Sequence, residues 1–177
     1  MQIAVVVGNP KPSSRTYTVA SAVAESARAR LGGDVILTID LALYADVIFQ
    51  WPSVELSQLS DAVASCDLLV VASPTYKGSY TGLLKAFLDR YPNNGLNGVT
   101  AIPVMTGASQ LHAMSIEFGL RPLLVELGAS VPMRGLYFVM SQMTELRPVI
   151  DAWAEENLTP GGIIAPTTRP PAQPTKE

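Results

Sequence analysis

Residues 3–18 read IAVVVGNPKPSSRTYT, and this stretch decides the fold. An apolar, mostly β-branched run ends at Gly8, and apolar residues at helical spacing begin near Thr16. A continuous apolar run is typical of a strand that is covered on both faces, as in a parallel sheet. The stretch therefore predicts a strand, a tight loop and a helix, which is how an alternating α/β chain begins.

The loop at residues 8–16 has the composition of a phosphate site. Hydroxyl and cationic side chains follow Gly8 in close succession: Lys11, Ser13, Ser14, Arg15 and Thr16. No acidic residue occurs before Glu25, although acids usually favour the first turn of a helix. Free helix amides, cations and an absence of carboxylates suit a bound phosphate. An ordinary strand-to-helix turn with Ser14 as the N-cap explains the loop equally well.

The composition indicates a single domain with a full hydrophobic core, in a chain of 177 residues. Apolar residues make up 48% of the chain and charged residues only 15%. The net charge is −3 and there is no basic run, which argues against binding to nucleic acid. The single cysteine, Cys66, fits a reducing compartment. With no apolar run long enough for a membrane span and no signal peptide at the N-terminus, we expect a cytoplasmic protein without a membrane partner.

Strand and helix patterns alternate along the chain. The predicted strands are residues 3–8, 35–40, 68–73, 100–105 and 131–139. The predicted helices are residues 16–31, 53–65, 81–90, 110–127 and 142–157. This alternation predicts a three-layer α/β sandwich around a parallel sheet, with a ligand site at the carboxyl ends of the strands. Residues 1–158 form the predicted domain. Residues 159–177 hold five of the 14 prolines and are interpreted as an extended tail.

Several familiar kinds of site are missing from the sequence. There is no G-x-G-x-x-G after the first strand, no phosphate-binding G-x-x-x-x-G-K-[ST] and no G-x-S-x-G elbow. One histidine and one cysteine cannot form a zinc site, so no metal is expected. His112 has no evident partner for general-base chemistry, and a structural role or a place at the edge of a ligand is the favoured interpretation.

The second notable loop, SPTYKGSY at residues 73–80, follows the third predicted strand. Pro74 makes the turn stiff, and Gly78 permits a backbone conformation that other residues resist. Exposed amides here suit the polar edge of a ring, beside an aromatic surface from Tyr76. The alternative is a rigid connection whose tyrosines cap the sheet.

Three motifs carry a resemblance to a known family. They are GNPKPSSRT at residues 8–16, ASPTYKGSYTGLLKAFLD at residues 72–89 and MTGASQLHA at residues 105–113. In this order and spacing, the chain resembles the NADPH-dependent FMN reductase family, which has a flavodoxin-like fold. Within it, the chain is most similar to the flavin reductases of two-component alkanesulfonate monooxygenase systems. The resemblance covers residues 1–150 and implies a five-stranded sheet in the order 2-1-3-4-5.

The resemblance implies a contact for each part of the flavin. The residues implied for the FMN phosphate are Lys11, Ser14, Arg15 and Thr16. The residues implied for the ribityl chain and the ring edge are Pro74, Thr75, Tyr76, Lys77 and Gly78. The residues implied for the pyrimidine end of the ring are Thr106, Gly107 and Ser109. The chain departs from the family at Asn9, where serine is common, and at Lys11, where arginine is common.

The resemblance also implies the chemistry. The flavin accepts the hydride, so no catalytic side chain is expected, and the cofactors are FMN and NADPH or NADH. Reduced FMN would pass to a flavin-dependent monooxygenase. Two alternatives stay open: a reductase of quinones, azo dyes or metal oxyanions that retains its FMN, and a flavodoxin-type electron carrier. Such carriers are usually more acidic than this chain.

Two further expectations concern the helix predicted at residues 110–127. Pro122 cannot donate a backbone hydrogen bond, so the ladder must break near Phe118, as a π-bulge or as a simple kink. In relatives that serve monooxygenases, an aromatic insertion at this position lies at a subunit interface. Apolar side chains on this helix and the preceding one favour a homodimer or homotetramer: Leu83, Leu84, Phe87, Leu88, Leu120, Leu123, Leu124 and Leu127.

Overall fold

The computed structural model describes residues 1–159, and within them five parallel strands form one sheet. The strands are β1 (Gln2–Val7), β2 (Asp34–Asp40), β3 (Leu68–Pro74), β4 (Thr100–Gly107) and β5 (Leu136–Val139). The α-helices are α1 (Arg15–Leu31), α2 (Val54–Ala64), α3 (Gly82–Leu88), α4 (Arg121–Glu126) and α5 (Leu146–Asn157). The strand order β2-β1-β3-β4-β5 confirms the predicted flavodoxin-like three-layer sandwich.

The core lies on both faces of the sheet. Helices α1 and α5 pack on one face, and α2, α3 and α4 pack on the other. Every residue of β3 and β4 is buried, as expected for central strands that read as continuous apolar runs. Within residues 1–159, no helix is long and apolar enough to cross a membrane. The predicted tail lies outside the described residues except for Thr159, so it stays a prediction.

The end of β1 is fastened to the start of α3. The Gly8 amide donates to the Ala72 carbonyl at 2.7 Å, and the Thr81 hydroxyl donates to the Gly8 carbonyl. A Cβ atom on Gly8 would lie closer than 3.0 Å to the Cβ atom of Leu84. Glycine is therefore needed at residue 8 because helix α3 passes directly beside the backbone.

Strand β5 and helix α5 are shorter than predicted. The segment 131–135 was expected to extend β5, but Arg121 donates to the carbonyls of Val131 and Met133, and the Gly135 amide donates to Glu117. These side-chain bonds occupy backbone groups that a longer strand would need. Residues Met140–Glu145 form a 3₁₀ helix, so the last α-helix begins at Leu146 rather than at residue 142.

The helix predicted at residues 110–127 is broken, as Pro122 requires. It consists of a 3₁₀ turn (Gln110–His112), a π-helix (Ile116–Leu120) and α4. The Arg121 amide donates to the Ile116 carbonyl, five residues back. The π-bulge is therefore confirmed, and the simple kink is wrong.

Most of the apolar side chains expected at a subunit interface belong to the monomer's own core. Six of them are buried there: Leu84, Phe87, Leu88, Leu120, Leu124 and Leu127. Leu83 and Leu123 are half-buried against the same core. That argument for an interface is therefore wrong, because these side chains fill the space between α3, α4 and the sheet. The oligomeric state stays a prediction.

Replacing Glu117 by glutamine should lower the free energy of unfolding by about 1–2 kcal/mol at pH 7, because the substitution removes the negative charge that pairs with the partly buried Arg121. Burial raises the pKa of Glu117, but hydrogen bonds from Arg121 and the Gly135 amide outweigh it and leave the pKa below its ordinary value. With a lowered folded pKa, this stabilisation is full above the unfolded pKa of about 4.3 and is lost as the pH falls through the folded pKa.

Urea unfolding of the wild type and Glu117→Gln at several pH values measures this difference. The matched control is Glu25→Gln, which breaks the exposed pair with Arg28 on α1 and should change stability far less. A difference for Glu117→Gln that stays constant down to pH 3 would contradict the assignment.

Candidate functional site

A cavity of about 450 Å³ opens at the edge of the sheet where the strands end. Its volume lies within the range of about 300–1,000 Å³ that is typical of small-molecule and cofactor sites. The connections after β1, β3, β4 and β5 meet there. The lining residues are Asn9, Lys11, Ser13, Ser14, Arg15, Thr16, Pro74, Thr75, Tyr76, Thr106, Gly107, Ala108 and Met140.

Asn9 organises the first loop. Its side chain accepts the Lys11 amide at 2.9 Å and donates to the Thr16 hydroxyl at 3.0 Å. The Thr16 hydroxyl also lies 2.8 Å from the hydroxyl of Thr106, the residue before the end of β4. The departure from serine at residue 9 therefore has a structural role, since one amide side chain joins the loop to α1 and, through Thr16, to the third loop.

The first turn of α1 leaves donors free for an anion. Ser14 is the N-cap, as predicted, and its hydroxyl accepts the Tyr17 amide at 3.1 Å. The first intrahelical bond runs from the Thr18 amide to the Ser14 carbonyl, so the amides of Arg15 and Thr16 have no acceptor in the helix. Within residues 1–159, neither Lys11 nor Arg15 forms an ion pair. Both cations are exposed at the mouth of the cavity.

A carboxylate approaches this loop from another strand. The Ser13 amide donates to Asp40 at 2.8 Å, and Ser13 has a left-handed φ of 49°. Asp40 ends β2, which pairs with β1, and its other oxygen accepts the Ala42 amide at 3.3 Å. Asp40 is not among the lining residues, and no described Asp or Glu is. The carboxylate therefore fixes the loop conformation from behind and leaves the cavity free of negative charge.

The second loop is a tight hairpin. Tyr76 and Ser79 exchange backbone hydrogen bonds at 2.9 and 3.1 Å, across a turn formed by Lys77 and Gly78. Both turn residues have left-handed φ angles, 54° and 77°, as in the type I′ turns of two-residue hairpins. Tyr76, 52% exposed, stands at the cavity wall. The Thr75 hydroxyl is buried and has no hydrogen-bond partner among the described residues.

The third loop leaves the sheet beside the second. Pro74 pairs with Thr106, and the Thr75 amide donates to the Thr106 carbonyl at 2.7 Å. A Cβ atom on Gly107 would overlap the hydroxyl of Tyr137, which comes from the neighbouring strand β5. Only glycine therefore lets the backbone pass between the cavity and Tyr137.

The structure brings nine of the twelve predicted site residues to the cavity. They are Lys11, Ser14, Arg15, Thr16, Pro74, Thr75, Tyr76, Thr106 and Gly107. Lys77 and Gly78 form the hairpin tip instead, and Ser109 is the N-cap of the 3₁₀ turn that follows. Four further residues line the cavity: Asn9, Ser13, Ala108 and Met140. From the sequence, Asn9 and Ser13 were named without a flavin contact, and Ala108 and Met140 were missed. The strand order was the available signal for Met140, since β5 lies beside β4 and ends at the same edge.

His112 lies close to the hairpin tip. A Cβ atom on Gly78 would sit 3.9 Å from its Nδ1 atom. The imidazole is exposed, and the described residues provide no hydrogen-bond partner that would orient it as a base. This position at the rim fits the favoured interpretation of His112 as a structural or ligand-edge residue. Within residues 1–159 there is also no group of side chains that could hold a metal ion.

Comparison with known proteins places this chain in a family. Residues 1–145 match the family model described as NADPH-dependent FMN reductase. The chain is 35% identical over 142 residues to an NADH-dependent FMN reductase, SfnF, of Pseudomonas putida, covering 77% of this chain and 76% of that protein. It is 28% identical over 155 residues to the FMN reductase (NADPH) of Escherichia coli, covering 82% and 76%.

A solved structure agrees with these sequence matches. The crystal structure of the apo form of the NADH:FMN oxidoreductase EMOB superimposes with a TM-score of 0.74 at 31% identity, covering 88% of this chain and 89% of that one. Fold and sequence therefore agree. The chain therefore belongs to the NADPH-dependent FMN reductase family and is an NAD(P)H:FMN oxidoreductase, with FMN and NAD(P)H as its cofactors.

Proposed function

We propose that this protein reduces FMN with NAD(P)H in the cytoplasm and supplies the reduced flavin to a partner monooxygenase. The observation that carries the proposal is the cavity, which free helix amides, two cations without an ion pair in the described part of the chain, and an aromatic hairpin line together. The resemblance to flavin reductases of two-component monooxygenase systems supports the transfer step. The single buried cysteine, Cys66, is consistent with a reducing compartment.

The first loop would hold the FMN phosphate. The Arg15 and Thr16 amides would donate to phosphate oxygens at the N-terminus of α1, where the helix dipole favours negative charge. Lys11 and Arg15 would add charge-assisted hydrogen bonds, and Ser14 would contribute from the cap position. No Asp or Glu of the described residues lines the cavity, which fits a dianionic group.

The second and third loops would hold the ribityl chain and the flavin ring. The buried Thr75 hydroxyl has no partner among residues 1–159 and would find one on the ligand. Tyr76 would offer its half-exposed ring to the isoalloxazine, and the hairpin would fix its position. When bound, FMN would supply N5 as the acceptor of the hydride from the nicotinamide. Gly107 would bring backbone donors to the pyrimidine end, where they stabilise negative charge.

Three of the predicted contacts lie outside the cavity lining. Lys77 and Gly78 form the tip of the hairpin and follow the lining residue Tyr76, and Ser109 follows the lining residue Ala108. We propose that they contact the exposed edge of the bound flavin. Lys77 is exposed and unpaired within the described chain, so it is also available to the pyridine nucleotide.

Steady-state oxidation of NADPH and NADH, with FMN, FAD or riboflavin added, tests the proposal. We expect colourless purified protein that oxidises the nicotinamide only when flavin is added. Protein that stays yellow and reduces quinones without added flavin would favour the FMN-retaining alternative. Yellow protein without NAD(P)H oxidation would favour an electron carrier. Either result would contradict the release of reduced flavin.

We also propose that the chain assembles as a homodimer or homotetramer through the π-helix surface. This surface consists of four exposed apolar side chains on and beside the π-helix: Leu111, Met114, Phe118 and Val125, which are 51–89% exposed. Isolated apolar residues on a surface are ordinary, but a cluster of this kind marks an interaction site. Light scattering at micromolar concentration should show an oligomer, and Phe118→Arg should reduce its mass. A monomeric wild type would contradict the assembly.

A further inference from the structure

A second cavity, far smaller than the flavin site, lies between α2 and the segment that follows α3. Its volume is about 240 Å³, below the range typical of cofactor sites. Two aromatic and two proline residues line it: Trp51, Tyr91, Pro52 and Pro92. Asp61, Arg90 and Ser60 contribute polar groups. We call this cavity the α2–α3 groove.

The groove offers an aromatic surface that no described residue covers. The Arg90 guanidinium lies over the Trp51 ring at 4.3 Å from its centre, and it is anchored by a 3.0 Å hydrogen bond from Nη1 to the Gln50 carbonyl. Trp51 is nevertheless 68% exposed. One face of the indole is therefore held by Arg90, and the other face is presented, at a fixed angle, to the solvent.

One side of the groove carries a negative charge. Asp61, on the exposed face of α2, forms no ion pair with a described residue. A matching partner therefore brings apolar rings for Trp51 and a cation for Asp61.

The same protein carries a segment with that chemistry. Residues 169–174 read RPPAQP, which contains a P-x-x-P spacing from Pro171 to Pro174, preceded by Arg169. Segments of this type favour the polyproline II conformation, which exposes its carbonyls and lacks several amide donors. Grooves lined by aromatic side chains bind them at low entropic cost because the conformation is preformed.

The segment is also long enough to reach the groove. Asn157, at the end of α5, accepts the Arg134 amide at 3.3 Å, just before β5 begins, and the groove residues Pro92 and Gly95 precede β4. Both therefore lie at the edge where the strands start, on opposite faces of the sheet. Adjacent layers are about 10 Å apart, so about 20 Å separates the two outer layers. The eleven steps along the chain from Thr159 to Pro170 could span up to about 34 Å at about 3.1 Å per residue, the rise of the polyproline II conformation.

We propose that residues 169–174 of this chain dock in the α2–α3 groove of the same molecule, with proline rings on the open face of Trp51 and Arg169 beside Asp61. This intramolecular contact is independent of flavin binding, since the groove shares no residue with the flavin cavity.

Quenching of Trp51 fluorescence by acrylamide tests the contact in the full chain. The chain has two tryptophans, and Trp153→Phe leaves Trp51 as the reporter. In that background, Pro171→Ala with Pro174→Ala should raise the quenching constant about two-fold, because the uncovered indole is 68% exposed. The matched control is Pro160→Ala with Pro166→Ala, which removes two prolines outside the motif and should leave quenching unchanged. Equal quenching in all three proteins would overturn the proposal.

A charge exchange gives a second, independent readout. Asp61→Arg should raise Trp51 quenching to the level of the double proline variant, and combining Asp61→Arg with Arg169→Asp should restore the original value. Failure of the exchange to restore it would contradict the placement of Arg169. The quenching constant should not depend on protein concentration. Protection that appears only at high concentration would mean that the segment of a second copy occupies the groove, which contradicts docking within one molecule.

Discussion

Replacing Arg15 by alanine should weaken FMN binding about 10- to 150-fold, because a charge-assisted hydrogen bond to the phosphate contributes about 1.5–3 kcal/mol. Arg15 has no acidic partner within residues 1–159, so its removal should leave the free energy of unfolding nearly unchanged. Quenching of flavin fluorescence on titration with protein measures the affinity. The matched control is Arg30→Ala at the far end of the same helix, where the guanidinium donates to the Asp151 carbonyl at 3.3 Å.

Riboflavin makes the Arg15 test specific to the phosphate. It carries the same ring and side chain as FMN but no phosphate, so its affinity should be the same for the wild type and for Arg15→Ala. A parallel loss of riboflavin affinity would mean that the substitution disturbs the ring site. An unchanged FMN affinity would mean that the phosphate does not lie at the start of α1.

Replacing Gly107 by alanine should have the largest effect on stability. The new Cβ atom would overlap the Tyr137 hydroxyl between two paired strands, where neither backbone can move freely. Overpacking of this kind costs about 1–3 kcal/mol, and in a chain of this size each kcal/mol lowers Tm by about 2–4 °C. Thermal unfolding measures the loss. Gly82→Ala is the matched control, since a Cβ atom there meets nothing within 4 Å.

Tyr137→Phe separates the clash from other effects of Gly107→Ala. The hydroxyl is buried without a hydrogen-bond partner among the described residues, so its removal alone should be neutral or slightly stabilising. In combination with Gly107→Ala it should restore part of the stability and not all, because the ring carbon Cζ would still lie 2.8 Å from the new Cβ. Strict additivity of the two substitutions would show that the clash is not the cause.

The sheet and the position of the site were predictable because they depend on strong local patterns. Central strands such as β3 are continuous apolar runs, and the turn residues Gly8 and Gly78 mark the loops that follow β1 and β3. Since parallel strands end at one edge, the loops had to converge there. Pro122 also carried a direct physical signal that the helix must break, and the backbone forms the π-bulge, which was one of the two predicted outcomes.

Contacts between distant segments were not predictable in the same way. The approach of Asp40 to Ser13 depends on the pairing of β1 with β2, and the shortening of β5 depends on Arg121 reaching the carbonyls of residues 131 and 133. In both cases a side chain binds backbone groups far away in the sequence. Local propensity carries no information on such bonds. The positions of the loops were therefore predicted, and the long-range hydrogen bonds that fix their conformation were missed.

The most direct test of the flavin site is the position of the phosphate in a crystal structure of this chain with FMN. We expect the phosphate against the amides of Arg15 and Thr16, with the guanidinium of Arg15 beside it and the flavin ring between Tyr76 and Gly107. A phosphate bound away from the start of α1, or a ring outside the cavity formed by the three loops, would contradict the assignment.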